Sequence, residues 1–360
     1  MIADNDLDFY ATANINDMEV FMAENPSAGS VYVYIDRAKN RKTAHPILYK
    51  ITADTTPEIS SEIISVYSEQ NSADENVFEA ILQNVISISA KQNEKINGVV
   101  LWSHGSGRLP HASSLNSVRA TATKSFGIDM TVKEEGAIGE MDIKKLAQKL
   151  KPYHFEFLLF DTCFMASIEV FYEIKDSFDY IIASPTEVLA TGLPYKGVLP
   201  DLLSTDIQYS NITKKYVSFS QQKKGILKSA SGVIVKTSEL KNLASAFKKN
   251  NLTLLNTNDL ENILQYDQNR TGWLFDMGQA AKIIEKQNDL DGNITSQIYK
   301  TIHNYNHTEW FFSEINLTKS SGISIYIPDL SDGKTIENNY YKTLSWCNDA
   351  GFISFFNHIP

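Results

Sequence analysis

Two short apolar runs constrain this 360-residue chain more than any other feature of it. Val99-Val100-Leu101-Trp102 ends in Ser103-His104-Gly105-Ser106-Gly107, and His154-Phe155-Glu156-Phe157-Leu158-Leu159-Phe160 ends in Asp161-Thr162-Cys163. Runs of this length, bounded by turn residues and set among helical periodicities, read as buried strands of a parallel α/β sheet. Sheets of that kind gather their sites at the carboxyl ends of the strands. The pattern therefore predicts that His104 and Cys163 leave neighbouring strands and meet in space.

A thiol and an imidazole so placed suit thiol-dependent hydrolysis, with Cys163 as nucleophile and His104 as base. A cysteine just ahead of a helix should feel the positive end of the helix dipole, which lowers its pKa. The ordinary fate of a lone cysteine in an apolar segment is packing. His104 argues against that here, because the glycines after it leave the backbone open to a ligand. Other chemistries have weaker support. No nucleophile-elbow pattern surrounds Ser103 or Ser106, and Gly105-Ser106-Gly107 completes neither a dinucleotide nor a phosphate-loop fingerprint. His303-Asn304-Tyr305-Asn306-His307 lacks the glutamate of zinc peptidases and reads as surface helix.

Leu101-Trp102-Ser103-His104-Gly105-Ser106-Gly107, Asp161-Thr162-Cys163-Phe164-Met165-Ala166 and Asp179-Tyr180-Ile181-Ile182-Ala183-Ser184-Pro185-Thr186-Glu187 together resemble the clostripain family of cysteine peptidases. So do Ile2-Ala3-Asp4-Asn5-Asp6-Leu7, Val31-Tyr32-Val33-Tyr34-Ile35-Asp36-Arg37 and Gly322-Ile323-Ser324-Ile325-Tyr326-Ile327-Pro328, which extends the likeness over nearly the whole chain. The resemblance implies a caspase-like three-layer α/β fold, with a mostly parallel central sheet, helices on both faces and a C-terminal subdomain. It also implies a His104/Cys163 dyad and cleavage of peptides after Arg or Lys, with Asp161 receiving the basic side chain and Thr186 as a second substrate-binding residue. The far wall of that pocket, Val188-Leu189-Ala190-Thr191, contains no second aspartate. The backbone amides of Gly105 and Cys163 are the expected oxyanion donors. The same dyad could instead serve a thiol amidase or transpeptidase, or persist in a catalytically silent peptide-binding relative.

Composition is that of a folded protein, 42% hydrophobic and 21% charged. A net charge of −10 argues against a nucleic-acid surface and favours the approach of basic peptides. With two cysteines, Cys163 and Cys347, there is no disulfide framework or four-cysteine zinc site, and Cys347 reads as packing. No metal ligand set or cofactor is expected; some relatives need calcium, but no loop of the EF-hand type occurs. The sequence has no membrane span and no signal segment at its start. The chain opens in what resembles the end of a strand, so the remainder of that strand and any export segment are expected to precede Met1. A secreted or cell-envelope location is what the family implies.

Ser72-Ala73-Asp74-Glu75 has capping-box form ahead of a helix through Val77, Phe78, Ile81, Leu82, Val85 and Ile86. Asp142 should cap a second helix, and a third is expected from about Met165 to Ile174. Residues 105–139 lack periodicity and hold Arg108, Arg119 and Lys124, making this segment a candidate self-cleavage loop, with Lys124 or Arg119 as the preferred position. The expected division is a peptidase core at 1–222 and a C-terminal region at 223–360, with a strand at Gly232-Val233-Ile234-Val235, helices to about Tyr305 and strands near Trp310 and Gly322. Trp273, Phe275, Trp310, Phe311 and Phe312 are expected in the core.

Overall fold

A computed structural model describes residues 1–38, 45–107, 126–130, 139–249, 255–267, 274–328 and 335–356. Its centre is a five-stranded sheet. β5 (Gly98–Trp102), β8 (Phe155–Asp161) and β9 (Phe178–Ala183) run parallel, and β10 (Ser231–Lys236) and β12 (Ile302–His307) continue the sheet with antiparallel pairings, in the order β12-β10-β9-β8-β5. A separate four-stranded sheet joins β1 (Ile2–Ala3), β2 (Tyr32–Arg37), β3 (Ile47–Lys50) and β4 (Glu62–Val66). A hairpin of β6 (Phe126–Asp129) and β7 (Gly139–Met141) and a short pair between β11 (Phe275–Asp276) and Ser324–Ile325 lie outside both sheets.

Alternation along the central strands produces three layers. Leu158, Phe160, Ile181, Ala183, Val233 and Val235 enter one buried apolar cluster, while Phe157, Leu159, Ile182 and Ile234 enter a second. Successive strand residues point to opposite faces, so both faces must be covered. The first cluster draws on α2 (Glu75–Lys91), α3 (Ile143–Leu150), α4 (Ile168–Ile174) and α7 (Leu240–Lys248); the second draws on α1 (Asp8–Glu24), α5 (Tyr195–Leu202) and α6 (Tyr209–Gln221). β10, from the C-terminal region, is sheet-bonded to β9 of the N-terminal region and carries β12 on its other edge, and Trp346 and Cys347 lie fully buried in the same cluster as Leu158.

Several local expectations change in three dimensions. Asp142 caps α3 as expected, accepting from the amides of Lys144 and Lys145. Asp74, not Ser72, caps α2, accepting from the amides of Asn76 and Val77. The Ser72 hydroxyl is held by Asp36 and Tyr34, so its tertiary partners win over the local box. The helix expected from Met165 begins only at Ile168. Residues 303–307 form an edge strand instead of a helix, because Tyr305 and Asn306 pair with Val233 and Gly232 across the sheet. Phe275 and Phe311 are buried, whereas Trp310 is exposed and Trp273 lies outside the described residues.

An apolar cavity of about 350 Å³ lies between β2, α2 and β5, lined by residues that include Tyr34, Phe78, Leu82, Val100 and Phe157. Its lining contains neither His104 nor Cys163, so size alone does not mark the chemistry of this chain.

Candidate active site

β5 and β8 pair in register with Trp102 opposite Asp161, so the residues that follow each strand leave the sheet side by side. On the β5 side the backbone is pinned from two directions. The Ser103 hydroxyl donates to the Ile2 carbonyl at 2.8 Å and accepts from the Ile128 amide, and the His104 carbonyl accepts from the Gly127 amide at 2.9 Å. The His104 ring is left partly exposed, with its Nε2 2.7 Å from Asp6 Oδ1. Ser103 is thereby locked in a structural role.

The two exits touch through Gly105. A Cβ on that residue would stand 2.8 Å from the Cys163 carbonyl oxygen and 3.0 Å from Thr162 Cβ, closer than a side chain tolerates. Glycine is required here by close backbone approach. Gly107 repeats the arrangement one step on, at φ +76° and with its Cβ position 2.9 Å from the Phe164 carbonyl.

On the β8 side the chain makes a sharp turn. Phe164, next to Cys163, adopts φ +61°, a left-handed conformation that costs a non-glycine residue on the order of 1–3 kcal/mol. The turn is held by bonds from the Phe164 amide to the Thr186 carbonyl and from the Ala166 amide to the Ser184 carbonyl, both 2.9 Å. These bonds are why α4 starts late. The Cys163 thiol donates to the Val188 carbonyl (3.6 Å) and accepts from the Val188 amide (3.3 Å).

The expectation of an acidified thiol is overturned. Burial pushes Cys163 up to about 12, the Glu187 and Asp161 charges add to the rise, and the Val188 amide opposes it. The helix dipole brings no relief, since α4 begins five residues beyond the sulfur and the dipole effect decays within a turn.

Asp161 ends β8, fully enclosed. Its Oδ2 accepts from the Leu193 amide (3.1 Å) and the Tyr195 hydroxyl (2.8 Å), while Oδ1 is buried without a hydrogen-bond partner among the described residues. Burial raises its pKa to about 6, against the two hydrogen bonds. Gly192, at φ +63°, presses its backbone onto this carboxylate; a Cβ there would lie 2.8 Å from Asp161 Oδ2 and 2.9 Å from Asn14 Oδ1. Asn14 in turn accepts from the Trp102 indole and donates to the Thr191 carbonyl. Thr191 Oγ1 accepts from the Lys223 ammonium.

Thr186 is buried, and its hydroxyl meets Ser231 (2.7 Å) and Ser184 (3.1 Å). Its side chain points into the protein, so in this conformation it supports the Cys163 turn and faces no cleft. Arg108, Arg119 and Lys124 lie outside the described residues. Among the described residues no group of three or more His, Cys, Asp or Glu side chains is arranged to hold a metal ion, and no helix is long and apolar enough to cross a membrane. Sequence reading missed the contacts of Asp6, Asn14 and Tyr195, and it named Val188 only as pocket wall and not as the partner of the thiol. Their distances along the chain from His104 and Cys163 leave no spacing signal, and only the strand order brings them in.

The arrangement sets a thiol and an imidazole on abutting turns, with a buried carboxylate two residues before the thiol. Comparison with known proteins agrees with that chemistry. The profile of the clostripain family matches residues 1–358. No curated protein matches the chain. Among solved structures, a secreted C11 cysteine protease from Bacteroides thetaiotaomicron, in complex with an irreversible peptide inhibitor, is 25% identical, with a TM-score of 0.79 over 98% of this chain and 97% of its own. An inactive zymogen C11 protease from Parabacteroides distasonis is 25% identical, with a TM-score of 0.77 over 97% of this chain and 95% of its own. A clostripain from Bacteroides thetaiotaomicron, in complex with the peptide inhibitor BTN-VLTK-AOMK, is 26% identical, with a TM-score of 0.53 over 59% of this chain and 95% of its own.

Proposed function

The chain belongs to the clostripain family and is a cysteine peptidase of caspase-like α/β fold, and from that premise we propose that it is an endopeptidase cleaving after Lys or Arg with Cys163 as nucleophile and His104 as acid and base. The observation that carries the reading is the placement of Asp161: a buried carboxylate with an unpartnered oxygen, two residues from the thiol, on the strand that abuts the histidine turn through Gly105. A buried acceptor of this kind calls for a charged donor. The inhibitor bound by the Bacteroides clostripain, whose peptide part VLTK ends in lysine, supports the same reading.

In this mechanism the Cys163 thiolate attacks the scissile carbonyl while the amides of Gly105 and Cys163 receive the oxyanion. His104 protonates the departing amine and then assists the water that hydrolyses the thioester. Asp161 binds the basic side chain and takes no part in proton transfer. Thiol, imidazole and amides supply all of this chemistry, so no cofactor is required by it, and calcium dependence is tested by adding a chelator to the assay.

The zymogen relative supports self-processing, which we place in the 105–139 loop, after Lys124 or Arg119, and the secreted relative supports a secreted or cell-envelope location. One observation favours a second reading. The Val188 backbone bonded to its sulfur, with burial pushing the thiol up to about 12, fits a latent form of the peptidase, and a silent peptide-binding relative is the second reading.

A scan of fluorogenic peptides varying only the residue before the scissile bond tests the assignment. Wild type should cleave Lys and Arg peptides, with Cys163→Ala about 10⁴-fold or more slower and His104→Ala about 10²–10⁴-fold slower, both with native circular dichroism. Intact-mass analysis should show two associated chains in wild type and one in Cys163→Ala. A wild-type protein that neither cleaves any peptide nor reacts with a peptidyl alkylating reagent would select the silent reading.

A further inference from the structure

We propose that Asp6 is a positioning residue for the His104 imidazole, fixing which ring nitrogen exchanges protons at the thiol; the inference rests on the reading of His104 as acid and base. Asp6 Oδ1 lies 2.7 Å from His104 Nε2. A carboxylate can only accept from a neutral or charged imidazole, so this contact places a proton on Nε2 and leaves Nδ1 as the nitrogen that takes and returns the catalytic proton. Without the contact, the ring can exchange tautomers and turn about its side-chain bonds.

The carboxylate is held in place through its backbone. Asp6 lies in the turn between β1 and α1, and its neighbour Asn5, itself buried, clamps that turn: Asn5 Nδ2 donates to the Ile2 and Ile128 carbonyls and its Oδ1 accepts from the Leu7 amide. Ile2 and Ile128 are also the two partners of Ser103, the residue before His104. One set of bonds therefore fixes the histidine backbone and the aspartate backbone relative to each other. The Asp6 side chain is 83% exposed, and an ion pair that exposed contributes little to folding. Stability does not account for the contact, whereas orientation of the ring does.

Asp6→Ala and Asp6→Asn are compared with wild type in the full chain, after incubation to constant activity, using a Lys fluorogenic peptide. Asp6→Ala should lower kcat about ten-fold with KM and melting temperature unchanged, a fraction of the full worth of a general acid-base group. Asp6→Asn, whose amide oxygen still accepts from Nε2, should recover most of kcat. In the Cys163→Ala background, the ¹⁵N resonances of His104 should report a protonated Nε2 that Asp6→Ala partly loses. Wild-type kcat in Asp6→Ala, loss through KM or melting temperature, failure of Asp6→Asn to recover, or unchanged ¹⁵N resonances would each overturn the assignment. Near-normal turnover of His104→Ala would instead sink the reading of His104 itself, which keeps the two failures apart.

Discussion

His104 leaves β5 into an open turn, with its ring partly exposed and bonded to a solvent-facing carboxylate, whereas Cys163, also half-buried, leaves β8 into a strained turn where its sulfur exchanges hydrogen bonds with the Val188 backbone. The difference follows from what each group must avoid. An imidazole works in contact with water, but a thiol held near pKa 12 carries a thiolate fraction of only about 10⁻⁵ at pH 7. The segment that touches the sulfur also closes the carboxylate: Val188 bonds Sγ, and Leu193 and Tyr195, a few residues on, hold Asp161. Asp161 is thus shut in by this stretch of chain, while Cys163 and the His104 ring both keep partial exposure.

Gly105 is the point where the open side meets the closed side, and breaking it should have the largest effect. Gly105→Ala places a Cβ 2.8 Å from a backbone carbonyl that has no flexible end to swing aside. The strand exits must separate, at a cost of about 1–3 kcal/mol in stability. Misplacing reacting groups by about 1 Å typically costs about 10²-fold in rate, so kcat should fall by that order in a variant that is still folded. Native turnover with the alanine in place would show that the two turns need not abut.

Asp161→Asn sharpens the closed side. Because burial lifts this carboxyl from 3.8 to about 6, the folded protein binds a proton that the unfolded chain releases over that interval. The associated stability is fully present below about pH 4 and is lost as pH rises through about 6, by roughly 3 kcal/mol. Urea melts between pH 4 and 8 should show a steeper decline in wild type than in Asp161→Asn, the remainder coming from Asp36, whose carboxyl is lifted by burial to about 8. For a Lys peptide, kcat/KM should fall as pH drops below about 6 in wild type, and the variant should lose about 10- to 100-fold at pH 8. Equal pH slopes in the two proteins would mean that Asp161 is charged without penalty and that its enclosure is not what the site depends on.

How much could be read beforehand differs between the same two sides. The strands that carry both turns were legible because each is an apolar run, β8 buried almost throughout and β5 half-buried up to its buried Leu101 and Trp102, and the Asp142 cap was legible because its bonds are local. Ser72 misled because a buried hydroxyl chose Asp36 and Tyr34 over its own helix. Residues 303–307 misled because a polar edge strand owes its form to β10, more than 60 positions away. At the candidate site His104, Cys163 and Asp161 stood out by motif, but the thiol's pKa did not. Its direction is set by the fold of residues 187–195 over the sulfur, and no local spacing records that contact. The β6–β7 hairpin, which begins inside the 105–139 segment and ends just past it, was hidden for a similar reason: four residues and three residues leave no periodicity to count.

The smallest effect concerns the choice between the two basic residues. Asp161 Oδ2 is already taken by the Leu193 amide and the Tyr195 hydroxyl, which leaves Oδ1 as the oxygen for an incoming cation. A guanidinium binds a carboxylate best by a two-pronged fork that needs both oxygens, whereas an ammonium is a compact charge satisfied by one. Matched peptides should therefore be cleaved several-fold faster with Lys than with Arg before the scissile bond. Tyr195→Phe removes the phenol from Oδ2 with almost no change in shape, and it should narrow that ratio by improving Arg more than Lys. The tyrosine is buried, so some stability is lost with its hydrogen bond, on the order of 1 kcal/mol. Reading the result as a Lys/Arg ratio within one protein cancels that loss. A ratio favouring Arg in wild type, or one that Tyr195→Phe leaves unmoved, would show that the enclosed carboxylate presents both oxygens once the covering segment has opened.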